Sequence, residues 1–347
     1  MIKIENVHKN MGEFSLRGVD IDIGEREYLM LLGPTGAGKT ILLETIAGIY
    51  RPDKGKIAVN GRDITRLPPR KRNIGMVYQD YMLFPHLNIE KNIMFGLRSR
   101  KVKKDEAKSR ARELAGMLKI DHLLHRHPGT LSGGEQQRAA SARALIMEPE
   151  VLLLDEPLSA LDTETRTKLR AELRRIHEAT NTTMIHVTHS FDEAFLLGSQ
   201  MAIMNEGIIV QVGEPGEVFR KPNSKFVADF LGAANLFPGS ATIDNGMTSI
   251  DIGGLKIASA VPITGKVYAS IRPEDIMVSR RPIESSARNS FEGNIERVED
   301  HGTIIQITVD TGVPFIVSLT RRSFEDMGLA IGLHVFITFK ATEVHAF

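Results

Sequence analysis

The sequence has no cysteine and no tryptophan among its 347 residues. The absence of cysteine excludes a disulfide framework and a thiolate metal site, and it fits a reducing compartment. No run of about 18 apolar residues occurs, so we expect no membrane-spanning helix. The first residues, MIKIENVHKN, lack the apolar core of a secretion signal. A role at a membrane would therefore depend on a partner.

The sequence also lacks an excess of positive or of negative residues. The 44 Lys and Arg residues nearly balance the 43 Asp and Glu residues, which gives a net charge of +1. No bulk field favours nucleic acid or an acidic partner, and we expect no nucleic-acid role. With 42% hydrophobic residues, the composition is typical of a globular protein, and the length suggests two domains.

Hydrophobic patterning divides the chain into two parts. Over residues 1–235, short apolar runs alternate with helical patterns, which predicts an α/β domain with a parallel sheet. Within it, the segment of about 85–145 is rich in Ala, Leu, Lys, Arg and Glu, so we expect an inserted helical subdomain. Over residues 236–347, short alternating runs punctuated by glycine predict a small all-β, OB-like domain.

The stretch GPTGAGKT follows an apolar run and precedes a helical pattern. It matches the P-loop pattern, in which glycines let backbone N–H groups point at phosphate oxygens and the following helix adds its positive end. Lys39 would reach the β- and γ-phosphates, and the Thr40 hydroxyl would bind Mg²⁺. The predicted nucleotide-binding residues are Gly33, Pro34, Thr35, Gly36, Ala37, Gly38, Lys39 and Thr40.

Two adjacent carboxylates, Asp155 and Glu156, follow the hydrophobic run VLLL. Ligands of open α/β sheets collect at the carboxyl ends of strands, so both side chains are expected near the phosphates. Asp155 is positioned to hold Mg²⁺, and Glu156 could polarise the attacking water. Two carboxylates with separate tasks suit hydrolysis of a phosphoanhydride better than binding alone.

A second glycine-rich stretch, LSGGEQQR at residues 131–138, opens another helical pattern. Together with the P-loop, LLLDEP, SALD and VTHS, it resembles the ATP-binding subunits of ABC transporters over about the first 235 residues. The resemblance implies that the nucleotide is ATP and that Ser132, Gly133 and Gly134 cap the γ-phosphate held by the P-loop of an opposite subunit. A free helix N-terminus supplies donors for such a contact, and a two-fold homodimer presents it to the other chain.

Three further site residues follow from the same resemblance. Gln79 in VYQDYM resembles the Q-loop glutamine, a Mg²⁺ and water contact that also senses the transmembrane partner. Asp162 in SALD resembles the D-loop aspartate at the dimer interface, although it also suits a helix N-cap. His189 in VTHS resembles the switch histidine that contacts the γ-phosphate. The catalytic candidates are therefore Glu156, His189 and Gln79, and the candidate Mg²⁺ ligands are Thr40, Gln79 and Asp155.

The chain departs from the family pattern at the adenine contact. An aromatic residue usually stacks on the base in the early turn, where this chain reads HKNMGEF. Met11 aligns with that position, and Phe14 follows three residues later. A thioether packs on a purine face less specifically than a ring does, so either residue could serve.

The C-terminal part carries two resemblances. The segment SIRPEDIMVS at residues 270–279 is similar to the stretch after the ATPase in many importer subunits. Residues 285–347 resemble the molbindin-like module of molybdate and tungstate importer ATPases. A tetrahedral dianion needs several donors and one or two cations, which a polar segment here supplies; alternatively, the segment is only a polar turn. The candidate oxyanion residues are Ser286, Arg288, Asn289, Ser290, Lys340 and Ala341, with SARN of one module facing KA of a neighbouring one.

These features predict the ATP-hydrolysing subunit of an ABC importer for an oxyanion such as molybdate or tungstate. The resemblance implies a homodimer on the cytoplasmic face of the membrane, two permease subunits and an external solute-binding protein. Oxyanion bound at the C-terminal domain would inhibit the ATPase by feedback. The alternatives are an importer for sulfate, ferric ion or a sugar, a soluble non-transport ABC ATPase, and an oxyanion storage or sensing protein.

Overall fold

The chain forms two compact units. The computed structural model describes residues 2–159, 162–180, 182–244 and 246–347. Contacts between residues divide it into Met1–Val218 and Phe219–Phe347. The segment just before residue 235 therefore groups with the second unit, whereas the sequence pattern placed it with the first.

Long-range polar contacts account for this difference in the second unit. The guanidinium of Arg272 lies 3.6 Å from the centre of the Phe219 ring and donates to the Phe219 carbonyl. The Nε2 atom of His345 is 2.9 Å from the carbonyl oxygen of Pro222. Hydropathy patterning does not register such contacts, because each one joins residues far apart in the sequence.

The first unit contains strands and helices in alternation. Its strands β1 to β10 are Ile2–Asn10, Ser15–Ile23, Tyr28–Leu32, Lys54–Val59, Arg62–Asp63, Ile74–Val77, Val151–Asp155, Thr183–Val187, Gln200–Asn205 and Ile208–Gly213. Helices α1 to α7 are Lys39–Ala47, Ile89–Ile93, Lys104–Met117, Gly133–Leu145, Thr163–Thr180, Phe191–Leu197 and Pro215–Arg220, the last of which extends past the division between the units. None of the helices in the described part of the chain has the length and apolar character needed to cross a bilayer.

A six-stranded sheet organises this unit, with strand order β10-β9-β3-β8-β7-β6. The strands from β9 to β6 run parallel, and β10 pairs antiparallel at one edge. Every residue of β3, β7 and β8 is buried, as expected for strands covered on both faces. Because β3, β7 and β8 run parallel, their carboxyl ends lie at one edge of the sheet. A second, antiparallel sheet of order β2-β1-β4-β5 shares its core with the first.

The predicted helical subdomain is present between β6 and β7. Helices α2, α3 and α4 pack on one another there, and their spacing places an alanine stripe of α3 inside, with Ala107, Ala111 and Ala115 buried. Helix α4 begins with a capping box, in which Ser132 and Glu135 satisfy each other's backbone N–H groups. This cap fixes the backbone at the beginning of α4.

The second unit is rich in strands, as predicted. Helix α8 is Lys225–Phe230, α9 is Arg321–Asp326, and strands β11 to β20 are Asn235–Asp244, Met247–Asp251, Lys256–Ser259, Gly265–Ile271, Met277–Ser279, Asn289–Asp300, Ile304–Asp310, Pro314–Thr320, His334–Phe339 and His345–Ala346. They form two five-stranded sheets, of orders β13-β12-β11-β14-β20 and β15-β19-β16-β17-β18. Apolar side chains from both sheets fill one core, in which Phe315 and Phe339 are fully buried.

Two buried asparagines join these sheets. The side chain of Asn235 accepts from the Ile316 N–H and donates to the Ile316 carbonyl, both at 2.7 Å. Asn289, on the other sheet, makes the same pair of hydrogen bonds to Ala258, at 2.7 and 3.0 Å. Each amide thereby imitates a strand neighbour and satisfies a buried N–H and a buried carbonyl.

Replacing Asn235 by alanine is expected to lower the free energy of unfolding by about 2–4 kcal/mol, because two buried backbone groups lose their partners. Denaturant unfolding measured by circular dichroism checks this. The matched control is Asn294→Ala, since Asn294 is exposed on β16, and its effect is expected within about 0.5 kcal/mol. Equal effects of the two substitutions would contradict the assigned role of Asn235.

Candidate functional site

The P-loop connects β3 to α1 at the carboxyl edge of the sheet. Gly33 has φ 155° and Gly38 has φ 100°, both in the region that favours glycine. A Cβ atom on Gly33 would lie 2.1 Å from the carbonyl oxygen of Met204, and one on Gly38 would lie 2.3 Å from Cζ of Phe14. Side chains at these two positions would therefore displace the loop from the strand and from the ring beneath it.

Lys39 lies across the loop that it follows. Its Nζ atom donates to the carbonyls of Gly33 and Pro34, at 2.8 and 2.9 Å. Burial lowers the pKa of the Lys39 ammonium, while the charges of Glu156 and Asp155 act in the opposite direction. Phosphate oxygens would supply the counter-charge that this buried cation needs. The first N–H groups of a helix have no partner within it, so those of α1 could also bind an anion.

The Thr40 hydroxyl and the Asp155 carboxylate lie together beside the loop. Thr40 Oγ1 is 3.3 Å from Asp155 Oδ1. Burial raises the pKa of Asp155, and the hydrogen bond from Thr40 lowers it. Hydroxyl and carboxylate oxygens fit Mg²⁺, which keeps most of its shell for water and phosphate. In the described residues, no group of three or more His, Asp or Glu could hold a metal by itself.

Gln79 lies exposed, two residues beyond the end of β6. Because β6 and β7 are parallel neighbours, Gln79 and Asp155 belong to the same edge of the sheet. The described residues show no hydrogen bond between their side chains. The role of Gln79 as a Mg²⁺ and water contact stays a prediction.

Glu156 and His189 are in direct contact. Oε1 of Glu156 and Nε2 of His189 are 2.6 Å apart. Glu156 has φ 45°, unusual for a residue with a side chain, and its N–H donates to the Val187 carbonyl at 3.1 Å. This backbone turn directs Glu156 toward the end of β8, where His189 follows. The structure thus joins the predicted base to the predicted γ-phosphate sensor.

The glycine-rich start of α4 lies elsewhere in the chain. Ser132 and Gly133 are exposed, while Gly134 is buried, with Thr165 of α5 next to it. The Ser132 hydroxyl donates to the Glu135 carboxylate at 3.0 Å. No hydrogen bond among the described residues connects Ser132 to the P-loop. Contact with a nucleotide on an opposite subunit stays a prediction for these three residues.

Asp162 acts as the N-cap that the sequence also allowed. Its Oδ1 atom accepts from the Thr165 N–H at 3.0 Å, and hydrogen bonds of this kind lower the pKa of Asp162. The carboxylate is exposed. Ala160 and Leu161 of the SALD motif lie outside the described residues. The predicted interface role of Asp162 is compatible with an exposed cap but is untested.

The two candidates for the adenine contact differ in their surroundings. Met11 N–H donates to the Phe14 carbonyl at 2.8 Å, which closes a tight turn. Met11 is 37% exposed, whereas Phe14 packs against the core beneath Gly38. The ring of Phe14 therefore supports the P-loop, and Met11 is the one with a free face. The identity of the adenine contact stays a prediction.

Arg143 of α4 was not among the sequence candidates. Its guanidinium donates to the carbonyls of Met82 and Tyr81, at 2.6 and 2.9 Å, and lies 5.2 Å from the centre of the Phe84 ring. Tyr81 and Met82 have φ 60° and 43°, a strained pair of consecutive residues. A basic residue in a helix looks like part of a solvated face, so the sequence carried no signal for this contact.

The oxyanion candidates in the second unit fall into two groups. The amide of Asn289 is buried and occupied by Ala258, so it joins the sheets instead of facing an anion. The Ser290 hydroxyl is 3.1 Å from the hydroxyl of Thr338. Ala341 is buried, and its carbonyl accepts from the Ala260 N–H at 3.0 Å. The polar groups of these three residues therefore already have partners within the second unit.

The remaining candidates are exposed. The β16–β19 ladder ends at the pair Asn289–Phe339, and Arg288 and Lys340 flank this pair outside the ladder. Ser286 lies two residues before Arg288 in the sequence. The predicted site between SARN of one module and KA of a neighbouring one stays a prediction.

The order of these parts along the chain identifies the class of protein. A P-loop, a helical subdomain between β6 and β7, a carboxylate pair after β7 and a histidine after β8 form an ABC-type ATPase. The family described as ABC transporter matches residues 16–159, and the TOBE domain family matches residues 285–346. The first match covers the P-loop, Gln79, Asp155 and Glu156, and the second covers the oxyanion candidates.

Known proteins resemble all or most of the chain. It is 46% identical to the molybdate/tungstate import ATP-binding protein WtpC of Pyrococcus horikoshii, over 100% of both chains. It is 41% identical to the spermidine/putrescine import ATP-binding protein PotA of Trichormus variabilis, over 89% of this chain and 83% of the relative. It is 38% identical to the sulfate/thiosulfate import ATP-binding protein CysA of Thermosynechococcus vestitus, over 97% and 95%. The chain belongs to the family of ABC importer ATP-binding subunits, which are ATPases coupled to transport.

Solved structures resemble the first part of the chain. CbiO1 of Clostridium perfringens, part of the ABC transporter complex CbiONQ, aligns with a TM-score of 0.58 and 31% identity, over 63% of this chain and 90% of that one. A dimeric post-hydrolysis state of the cassette MJ0796 with ADP and Pi aligns with a TM-score of 0.55 and 30% identity, over 62% and 99%. Both alignments support the ABC ATPase fold.

Proposed function

We propose that this chain is the ATPase subunit of a molybdate or tungstate importer. The observation that carries the proposal is the 46% identity to a molybdate/tungstate import protein over the whole of both chains. Identity to the polyamine and sulfate proteins is lower, at 41% and 38%. The pair of cations Arg288 and Lys340 adds a chemical reason to favour a divalent oxyanion over a polyamine.

ATP binds in this proposal through the P-loop, with Lys39 moving from its carbonyl partners to the β- and γ-phosphates. Met11 packs on the base. Thr40 and Asp155 would hold Mg²⁺, with Gln79 at its water shell, and the ion would neutralise the charge that develops on the phosphates. The dimeric ADP-bound relative supports closure of two copies around two nucleotides, each lending Ser132 to the other.

Hydrolysis then depends on Glu156 and His189. Glu156 accepts a proton from the attacking water, because its carboxylate lies at the strand end that faces the phosphates. His189, 2.6 Å from that carboxylate, orients Glu156 and reaches the γ-phosphate. Release of phosphate would allow the dimer to reopen.

The subunit works with partners in the membrane. Two permease subunits and an external solute-binding protein complete the importer, and the ATPase dimer binds the permeases at the cytoplasmic face. The relative from the CbiONQ transporter complex supports such an assembly. Arg143 of α4 is hydrogen-bonded to the carbonyls of Tyr81 and Met82, shortly after Gln79. A movement of this loop, caused by a permease, would therefore displace α4.

Oxyanion bound at the second unit would inhibit the ATPase when cargo accumulates. Inhibition requires that the anion bind the open dimer more tightly than the closed one. Arg288 and Lys340 would supply the charge, and Ser286 would supply a hydroxyl donor. Asn289, Ser290 and Ala341 would shape the site through the fold, since their polar groups already have partners.

Molybdate or tungstate is expected to slow ATP hydrolysis by the assembled transporter when added at the cytoplasmic side. Calorimetry of the purified subunit should show binding of either anion, weakened about tenfold or more by Arg288→Gln, because a charge-assisted contact is lost. The control is Arg322→Gln, which removes an exposed cation from α9 of the same unit. Binding of sulfate alone would favour the sulfate importer, and no heat with any oxyanion would remove the regulatory proposal.

A further inference from the structure

A group of buried polar side chains lies behind the turn that carries His189. The Thr188 hydroxyl donates to Oε2 of Glu193 at 2.5 Å. Thr188 and Glu193 are only 5% and 3% exposed, and Glu193 stands in the first turn of α6. Burial of a carboxylate lowers the stability of the fold unless the carboxylate has hydrogen-bond partners. The hydrogen bond from Thr188 therefore offsets part of the cost of burying Glu193.

Further hydrogen bonds connect Thr188 and Glu193 to the turn that carries His189. The Thr188 hydroxyl oxygen accepts from the Ser190 N–H at 3.1 Å, and the Ser190 hydroxyl accepts from the Glu193 N–H at 3.4 Å. The Thr188 N–H donates to the Leu31 carbonyl of β3 at 3.2 Å. His189, between Thr188 and Ser190, is therefore fixed by its two neighbours.

A histidine completes this group from the strand side. His186 is fully buried in β8, and its Nδ1 atom is 3.0 Å from the Tyr28 hydroxyl. Within the described part of the chain its Nε2 atom has no hydrogen-bond partner, and it lies 3.7 Å from Oε2 of Glu193. Burial lowers the pKa of His186 to about 3, so the ring is neutral. A neutral ring next to Glu193 can donate to the carboxylate after a small shift but does not carry a charge.

A cavity of about 250 Å³ adjoins the same carboxylate. Its lining includes Glu156, His189 and Glu193, together with Arg166 of α5. Burial raises the pKa of Glu193, while Thr188 and the positive charges of Arg166 and Arg170 lower it. The hydrolytic pair and the carboxylate of Glu193 thus border one space, and the turn that carries His189 connects them along the chain.

We propose that Glu193 is a positioning residue for ATP hydrolysis, which acts through Thr188 to hold His189 against Glu156. The inference rests on the proposed roles of Glu156 and His189. The path runs from the carboxylate to a hydroxyl, from the hydroxyl to a backbone N–H, and from that backbone to the His189 ring. Displacement of a catalytic group by about 1 Å costs on the order of 100-fold in rate.

The first test compares Thr188→Val with Thr188→Ser. Valine keeps the shape but removes the hydroxyl, and kcat for ATP is expected to fall about 10- to 100-fold. Serine keeps the hydroxyl and should retain most of the activity. Affinity for a fluorescent ATP analogue should change little in both variants. The valine variant should melt at a lower temperature but stay folded at the assay temperature, because Glu193 and the Ser190 N–H lose a partner. A valine variant as active as wild type would overturn the proposal, as would a serine variant that folds but is equally impaired.

Glu193→Leu tests the carboxylate directly, with Asp192→Leu as the matched control, because a glutamine amide oxygen could still accept from the Thr188 hydroxyl. Both substitutions remove a carboxylate from α6, but Asp192 is exposed. Loss of kcat is expected for Glu193→Leu alone. Equal loss in both variants would show that charge in α6, and not the contact with Thr188, controls the rate.

A double substitution separates positioning from a general structural effect. In a His189→Ala background, Thr188→Val should lower the rate by less than about twofold further, because the group it positions is already absent. Independent, multiplying losses would overturn the inference. If Glu156→Gln hydrolyses ATP rapidly, the proposed hydrolytic roles fail, and that outcome is distinct from any result at Thr188.

Discussion

Substitution of Glu156 by glutamine is expected to lower ATP turnover by about 10²- to 10⁴-fold while nucleotide binding persists. Glutamine has nearly the same shape but cannot accept the proton of the attacking water. The other contacts of the site involve the P-loop, Thr40 and Asp155, so they remain. The result should be a closed dimer that holds ATP, visible as a dimer peak in size-exclusion chromatography with ATP and Mg²⁺.

The geometry at Glu156 makes this prediction specific. Its left-handed φ and its bond to the Val187 carbonyl set the side chain toward His189, and glutamine can preserve both. The control is Glu113→Gln, an exposed position of α3, for which turnover should be unchanged within about twofold. Rapid hydrolysis by the Glu156 variant would assign the base elsewhere.

Two inactive variants should restore activity when they are mixed. Lys39→Ala removes the phosphate contact of the P-loop, and Ser132→Arg blocks the glycine-rich start of α4. Each homodimer should lose nearly all turnover. If each α4 start serves the partner's ATP, a mixed dimer contains one site with both defects and one site with none.

The expected recovery can be estimated from random pairing. Half of the dimers in an equal mixture are mixed, and each has one intact site of two, so up to about a quarter of the wild-type rate is expected. Steady-state ATPase rates across mixing ratios measure this. If both elements acted on the same nucleotide within one chain, every site in the mixture would carry a defect. No recovery, in a mixture shown to exchange subunits, would therefore rule out the reciprocal arrangement.

The backbone of the candidate nucleotide site could be predicted well from the sequence because its parts are local. The P-loop needs glycine at particular positions, so Gly33 and Gly38 are recognised in the sequence and are then found with positive φ. Likewise, a carboxylate after an apolar strand belongs at the sheet edge in a parallel α/β fold. The contact between Glu156 and His189 needed only the further fact that β7 and β8 are neighbours.

The polar contacts made across the fold could not be predicted. Asn289 looked like an anion ligand in SARN, but its amide is used by Ala258, 31 residues away in the sequence. Phe14 was one of two candidates for the adenine contact, and its packing beneath Gly38 could not be predicted. Neither result follows from a motif, since each depends on which strand or loop lies opposite after folding.

The sequence by itself determined the class of protein, the order of its parts and the candidate residues for phosphate and water, because these depend on short segments whose backbone chemistry is local. Only the tertiary structure decided which buried polar groups support that site, among them Glu193 behind His189 and Arg143 beneath the strained turn. Their partners come from distant segments, and a buried donor or acceptor is satisfied only once those segments have packed together.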